Sequence, residues 1–284
     1  MTIGTAGLLF GLLGMVCAYT FSSLFPQVEV AVYDWHVRAQ SPAFIDPSIT
    51  VVTVDEDGPA SCGNERWNSS TIANMISALD RAGASVIAPA ITFHMPNPSE
   101  CGDALGHAQL LEATKQAGNV VYSSFVQPMI AKEARATGWF MLSADKDGIF
   151  RGLSEKQRSH DPHHLPFGLA IASAYNNGRS LHLPEQGLLT FVGRWADQSF
   201  PTYTFKKLFN LVQQGEDMKL ANLVRDKIVL IFPTTQNSKR LDTPLETDVP
   251  LGFLHANLLN ASLTHSWLKK PSLESWIFPT FVLV

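Results

Sequence analysis

The sequence predicts an α/β domain, a mostly parallel sheet flanked by helices, set between an N-terminal transmembrane helix and the start of a second transmembrane segment at the C-terminus. Three observations predict it. Short β-branched runs alternate with stretches of helical periodicity through the middle of the chain. The first 28 residues contain no Asp, Glu, Lys or Arg, and the run from Ile3 to Phe25 is long enough to cross a bilayer at about 1.5 Å per residue. From Trp276 to Val284 the chain turns apolar again, behind Trp267, Lys269 and Lys270, which read as an interfacial collar. On this reading residues 1–28 are the first span, 29–270 the folded domain between the spans and 271–284 the beginning of a truncated second span. The alternatives are a cleaved signal at the N-terminus, which would usually carry a basic n-region and a shorter apolar core, and a short strand or helix of the folded domain at the C-terminus.

The elements follow in order. Ser48 to Asp55 (SITVVTVD) is a β-branched strand. A helix runs from about Ser69 to Ala82, with Ile72, Met75, Ile76 and Leu79 on one face. Ser85 to Ile91 is the second strand, Ala104 to Ala117 a helix, and Asn119 to Tyr122 the third strand. Further on come a helix from Phe167 to Tyr175, a strand from Gly187 to Val192 and a helix from Tyr203 to Gln213. A buried strand from Lys227 to Phe232 and a helix from Phe253 to Ser266 complete the set. The polar stretch from Ser154 to Pro166 reads as a surface loop within one domain.

Composition excludes some functions. A formal net charge of −4 without a basic block gives no footprint for nucleic acid. There is no G-x-S-x-G elbow, no G-x-x-x-x-G-K-[ST] loop and no H-E-x-x-H, so the segment is read as no enzyme and no cofactor is expected. Of the three cysteines, Cys17 lies inside the first span. Cys62 and Cys101 fall in the loops leaving the first and second strands, which in right-handed βαβ units emerge at the same sheet edge. That layout favours a Cys62–Cys101 disulfide, and an oxidising compartment, over two free thiols.

Other residues are candidates by their chemistry. Gly4, Gly7, Gly11, Gly14 and Ala18 recur at spacings of 3 and 4, a stripe of small residues that suits a homodimer seam or the docking of the second span. Asp55 and Glu56 stand at the predicted carboxyl end of the first strand, where open α/β sheets place ligands, with hydrogen bonding to local backbone as the plainer role. Asp145 and Asp147 precede Gly148. They resemble the start of a calcium loop without its later ligands, and an Asp-Gly turn is the stronger reading. Arg151 beside them either pairs with a carboxylate or faces water. His160, His163 and His164 are the most ligand-rich short stretch, weak metal candidates in an irregular loop. His255 reads as a packing histidine.

Several segments, in order, resemble the type-two CHASE domain family, the cyclase/histidine-kinase-associated sensory extracellular domains of bacterial receptors. They are Asp34-x-x-x-Arg38 after the first span, Ile49 to Glu56, Trp67, Ala82 to Ile87, Gly138-Trp139-Phe140, and Asp145 to Arg151. Asp226 to Ile231, Asp242-Thr243-Pro244 and Pro250 to Asn257 complete the match. Two positions depart from the family pattern. Ala90 stands where the family usually has an Asp, and Phe232-Pro233 follows Ile231 where a Gly normally ends the strand.

The resemblance implies a sensory module outside the cytoplasmic membrane, on the periplasmic or extracellular side, that relays a stimulus to a cytoplasmic cyclase or kinase. Asp55, Glu56, Asp145, Asp147, Arg151 and Asp242 are the ligand-binding candidates for an unidentified small-molecule or physical stimulus. The expected partners are the membrane and a second copy of the chain. Two rival readings are a membrane-anchored periplasmic hydrolase using Asp55, Glu56 and a histidine, and a dimerisation scaffold that binds no ligand.

Overall fold

A computed structural model describes residues 28, 30–39, 42–55, 68–91, 104–124, 126–154, 165–178, 181, 187–235 and 238–269. The chain divides into two compact units, Met1–Ser41 and Pro42–Val284. In the first unit, residues 30–39 form helix α1, and Val28 is helical as well. Apart from residue 28, both predicted membrane spans lie outside the described residues, as do Cys62, Cys101, His160, His163, His164 and Glu56. No helix among the described residues is long and apolar enough to cross a membrane.

The second unit is built on four parallel strands in the order β2-β7-β1-β6. β1 (Ile49–Val54) is buried along its whole length, as a β-branched strand covered on both faces must be. After α2 (Ser69–Arg81), the chain returns as β2 (Val86–Pro89), one place removed from β1. The gap is filled much later by β7 (Ile228–Pro233), which pairs Ile228 with both Ile49 and Val86. β6 (Thr202–Thr204) closes the other edge, with Thr202 opposite Val51. Beyond β2, an Ile87–Val120 bridge leads to β3 (Val121–Ser123), which pairs in parallel with β4 (Ala136–Gly138).

Helices cover both faces. On one lie α2, α3 (Ala104–Ala117), α4 (Pro128–Glu133), α6 (Phe205–Gln213) and α7 (Asp217–Val224). Ile72, Met75, Ile76 and Leu79 are buried there against Val52, Val54, Val229 and Ile231. Asn68 starts α2 by accepting a hydrogen bond from the Thr71 N–H at 2.9 Å, satisfying one of the unpaired donors of the first turn. Thr114 Oγ1 donates to the Leu110 carbonyl at 2.7 Å and meets the Tyr122 hydroxyl at 2.9 Å, which ties α3 to β3.

On the other face lie α5 (Phe167–Tyr175) and α8 (Leu251–Thr264). Every residue of α8 from Leu251 to Ser262 is buried. Three of its polar side chains hold neighbouring segments. Asn260 accepts from the Asp46 N–H at 2.8 Å and donates to the Phe44 carbonyl at 2.9 Å. Asn257 accepts from the Val192 N–H at 3.0 Å and donates to the Phe253 carbonyl at 2.9 Å. His255 bonds to α5 and to the segment at Phe140.

The departures from expectation have local causes. The strand expected over Gly187 to Val192 is β5 (Gly187–Leu189) alone, because the Val192 N–H turns to Asn257 instead of a ladder partner. The helix expected from Tyr203 starts at Phe205, because Thr202–Thr204 pair with β1 and Thr204 Oγ1 caps the helix through the Lys207 N–H at 3.2 Å. Trp267 and Lys269, expected in an interfacial collar, belong to β10 (Trp267–Lys269), antiparallel to β5. β8 (Arg240–Leu241) and β9 (Val249–Pro250) form a short antiparallel pair ahead of α8.

Gly168 sets the crossing of α5 and α8. Its N–H donates to His255 Nδ1 at 3.1 Å, and a Cβ there would collide with the His255 carbonyl. Gly168→Ala should therefore force the helices apart and cost about 1–3 kcal/mol, read as a lower urea midpoint with an unchanged m-value. An unchanged midpoint would refute the close crossing.

Candidate functional site

The candidate ligand residues meet at and beyond the carboxyl edge of the sheet. The reason is topological. β7 enters between β1 and β2, so its end emerges beside the end of β1, and the Thr234 N–H donates to the Val54 carbonyl at 3.1 Å. Thr234 Oγ1 then donates to Asp55 Oδ1 at 3.2 Å. Arg240 continues the chain of contacts. Its guanidinium donates to the Thr234 carbonyl at 3.2 Å, to the Asp248 carbonyl at 2.9 Å and to Asp248 Oδ2 at 3.2 Å. The Asp248 N–H donates to Asp242 Oδ1 at 2.9 Å, and the Asp242 carbonyl accepts from the Phe150 N–H at 2.7 Å. Arg151 follows directly.

Arg151 is the deepest charge of this network. It is only 3% exposed, yet it meets the carboxylates of Asp145 and Asp147, which are 55% and 45% exposed. Its guanidinium donates to Asp145 Oδ2 at 3.0 Å and grips Asp147 through both oxygens, at 2.9 and 2.7 Å. A planar guanidinium suits such two-point recognition. The Arg151 hydrogen bonds hold the Asp147 carboxyl below its ordinary value of 3.8. The carboxylates are presented by a tight turn. The Gly148 N–H donates to the Asp145 carbonyl at 3.0 Å, and Gly148 has a φ of +84°, a region that favours glycine. This is the Asp-Gly turn the sequence favoured, and Arg151 pairs with the carboxylates instead of facing water. Among the described residues no three His, Cys, Asp or Glu side chains are grouped to hold a metal ion.

Hydrogen bonds thus link Asp55, Thr234, Arg240, Asp248 and Asp242 in sequence, and the Asp145, Asp147 and Arg151 cluster adjoins them through the backbone at Phe150. Glu56, the sixth candidate, lies outside the described residues. Arg240, Asp248 and Thr234 were missed by sequence reasoning. Only Arg240 carried a signal, as a cation two residues before Asp242.

Ala90 and Phe232, the two departures, flank the same edge on its apolar side. Ala90 is buried, and its N–H donates to the Ile231 carbonyl at 2.7 Å. The Phe232 ring lies where a Cβ on Gly252 would stand, at the start of α8. Trp195 stacks obliquely beside it at 5.9 Å between centroids and meets Phe253 at 5.5 Å. Glu246 holds Trp195 in place, accepting from its N–H at 2.7 Å. Aromatic side chains therefore fill the crevice between the end of β7 and α8. Beside them Asp55, Asp242 and Asp248 are exposed.

His255 lies apart from this edge and is fully enclosed. Nδ1 accepts from Gly168, so Nε2 carries the proton and donates to the Phe140 carbonyl at 2.8 Å. The ring stacks on Phe140 at 5.0 Å. Burial pushes its pKa down to about 4. With both nitrogens engaged it cannot serve a substrate as a base.

The family model of the CHASE2 domain matches residues 9–284, and the chain belongs to the CHASE2 domain family. CHASE2 domains are extracellular sensory domains of signalling receptors and are not catalytic. Neither a curated protein nor a solved structure matches the chain.

Two acid-dependent losses of stability follow, in separate windows. His255 has a folded pKa of about 4 against an ordinary 6.5, so the unfolded chain takes up the proton first. Stability should fall as pH drops from 6.5 to about 4, by roughly 3 kcal/mol in total, and this part should level off below that. His255→Gln should flatten that window in urea titrations, and an undiminished slope would exclude His255 as its source. Asp147 acts below 3.8, where its stabilisation is lost as pH falls through the lowered folded value. At neutral pH, Asp145→Asn or Asp147→Asn alone should cost about 1 kcal/mol, given the exposure of both carboxylates. The double substitution should cost more than the sum, because both carboxylates share one buried guanidinium. Additive losses would count against that account.

Proposed function

We infer that this chain is the periplasmic sensory part of a bacterial receptor in the cytoplasmic membrane, acting as a homodimer and relaying a stimulus to a cytoplasmic cyclase or kinase output domain. The observation that carries the reading is the hydrogen-bonded chain from Asp55 through Arg240 to Asp242, with the Arg151 cluster beside it, on a family member whose class is sensory. Such a network suits a sensor. Its carboxylates are open to solvent, while Asp55 is tied to β7 through Thr234 and Asp242 and Asp248 to the strand pair before α8, so a ligand taken up at the rim acts on the segments that position the domain's last helix. A stimulus works by binding one of two arrangements more tightly than the other.

The test uses the full receptor in membrane vesicles, with cyclic-nucleotide synthesis or phosphorylation as the readout across pH, osmolarity and a panel of small polar solutes. Asp55→Asn and Asp242→Asn should reduce the response to the effective stimulus by roughly tenfold, the ordinary scale of a coupling energy, while leaving the unstimulated output in place. An output that ignores both substitutions would favour the scaffold.

A further inference from the structure

His255 is a fully buried ionisable side chain on the face of the sheet that α5 and α8 cover, and the polar rim makes no use of it. α8 carries no other ionisable residue. Neither do β1, β5, β7 and β9, which pack on it, or the segment from Ala136 to Ser143. α5 contributes only Tyr175, at the far end of the helix. Of the loop segments that reach α8, Asp46 is engaged with Ser48 and Glu246 with the Trp195 N–H, while Arg194 and Lys239 are exposed. Burial and the Phe140 bond, not a neighbouring charge, govern the titration of His255.

The ring sits at the closest point of the crossing. Gly168 lies against the His255 carbonyl, its N–H donates to Nδ1 at 3.1 Å, and Nε2 donates to the Phe140 carbonyl at 2.8 Å. The Phe140 segment is itself joined to α5, because the Phe167 N–H donates to the Trp139 carbonyl at 2.8 Å. One neutral imidazole thus closes a junction of three segments. A second proton has a single place to go, Nδ1, where it points a donor at the Gly168 donor. The bond is lost and a cation is left in an apolar enclosure. The face of Phe140, stacked at 5.0 Å, attracts a cation. Burial outweighs that attraction, since the folded pKa is pushed down to about 4.

We propose that His255 is a proton-operated latch between α5 and α8, closed when the ring is neutral and released when Nδ1 takes a proton from solvent, with loss of the Gly168 hydrogen bond. Release comes by capture. Local opening exposes the ring, which then binds a proton at its ordinary affinity, so acid draws the population toward the open form. After Thr264, α8 runs through the left-handed His265 into β10, whose Trp267 pairs with Leu189 of β5. Opening therefore acts on the chain ahead of the expected second span. That consequence rests on the receptor reading, in which the domain lies outside the cytoplasmic membrane and meets the acidity of the medium directly.

The test places the full chain in membrane vesicles and follows amide hydrogen exchange from pH 7 to 4, corrected for the intrinsic pH dependence of exchange. The opening constant of α5, α8 and β10 should rise about tenfold per pH unit below 6.5, and roughly 300-fold by pH 4, while α2 and α3 on the opposite face stay protected. His255→Gln keeps a donor and an acceptor but cannot titrate, and should hold exchange of α5 and α8 within about twofold over the same range. The parent decides the matter even where that variant does not fold. An equal rise in α2 and α3 would show general acid unfolding and overturn the latch, as would a slope unchanged in His255→Gln. Output measured on the same vesicles separates the latch from the receptor reading. A receptor that answers solutes while α8 stays closed in acid keeps its sensory reading and loses the latch. An acid-opened α8 in a chain that answers no stimulus does the reverse.

Discussion

The burial of α8 is the constraint on which the rest of the domain depends. A helix enclosed on every side cannot turn polar residues to solvent, so His255, Asn257 and Asn260 must find partners inside. Each does so with the backbone of a different segment, at Gly168 and Phe140, at Val192, and at Phe44 and Asp46. These contacts fix irregular chain that has no ladder of its own. Losing one side chain would leave a buried backbone group unsatisfied as well as a gap in packing, which is costlier than the bond itself is stabilising. Gly138, Gly168 and Gly252 complete the arrangement by letting backbone and rings approach where a Cβ would intrude.

The late insertion of β7 determines the character of the sheet edge. Because β7 lies between β1 and β2, the chain that leaves it passes directly over the end of β1 before forming β8 and β9. Charges distant in sequence become neighbours there. Among the described residues most stay near solvent, where desolvation is small, and Arg151 is drawn inward against the carboxylates of Asp145 and Asp147. On the inner side of the same edge, Phe232 occupies the space beside Gly252 that a glycine in its place would leave open. The start of α8 is thereby packed against an aromatic ring, while the carboxylates of the rim stay exposed. A stimulus that acts there meets carboxylates and a guanidinium whose anchors lead straight to the strands and, through β9, to α8.

Much of the secondary structure could be read from periodicity. Ile72, Met75, Ile76 and Leu79 announce α2, and the β-branched runs at Ile49 and Ile228 announce strands buried on both faces. Short elements escaped, among them β4, β6, α4 and α7, because three to eight residues hold too few repeats of either period to stand out. The strand at Gly187 was read too long because nothing local shows that the Val192 N–H bonds to Asn257, 65 positions away.

By itself the sequence determined the alternation of strands and helices, the parallel sheet, the family resemblance and the residue types able to carry charge at the strand ends. All of these are set by local spacing and composition, which the linear chain displays directly. The tertiary structure alone decided that Asp55 would reach Asp242 through Thr234 and Arg240, that Arg151 would be buried with two exposed aspartates, and that Phe232 would close the crevice at Gly252. Those outcomes depend on strand order and on how side chains share the space between packed layers, and both emerge only when segments far apart in the chain compete for the same volume.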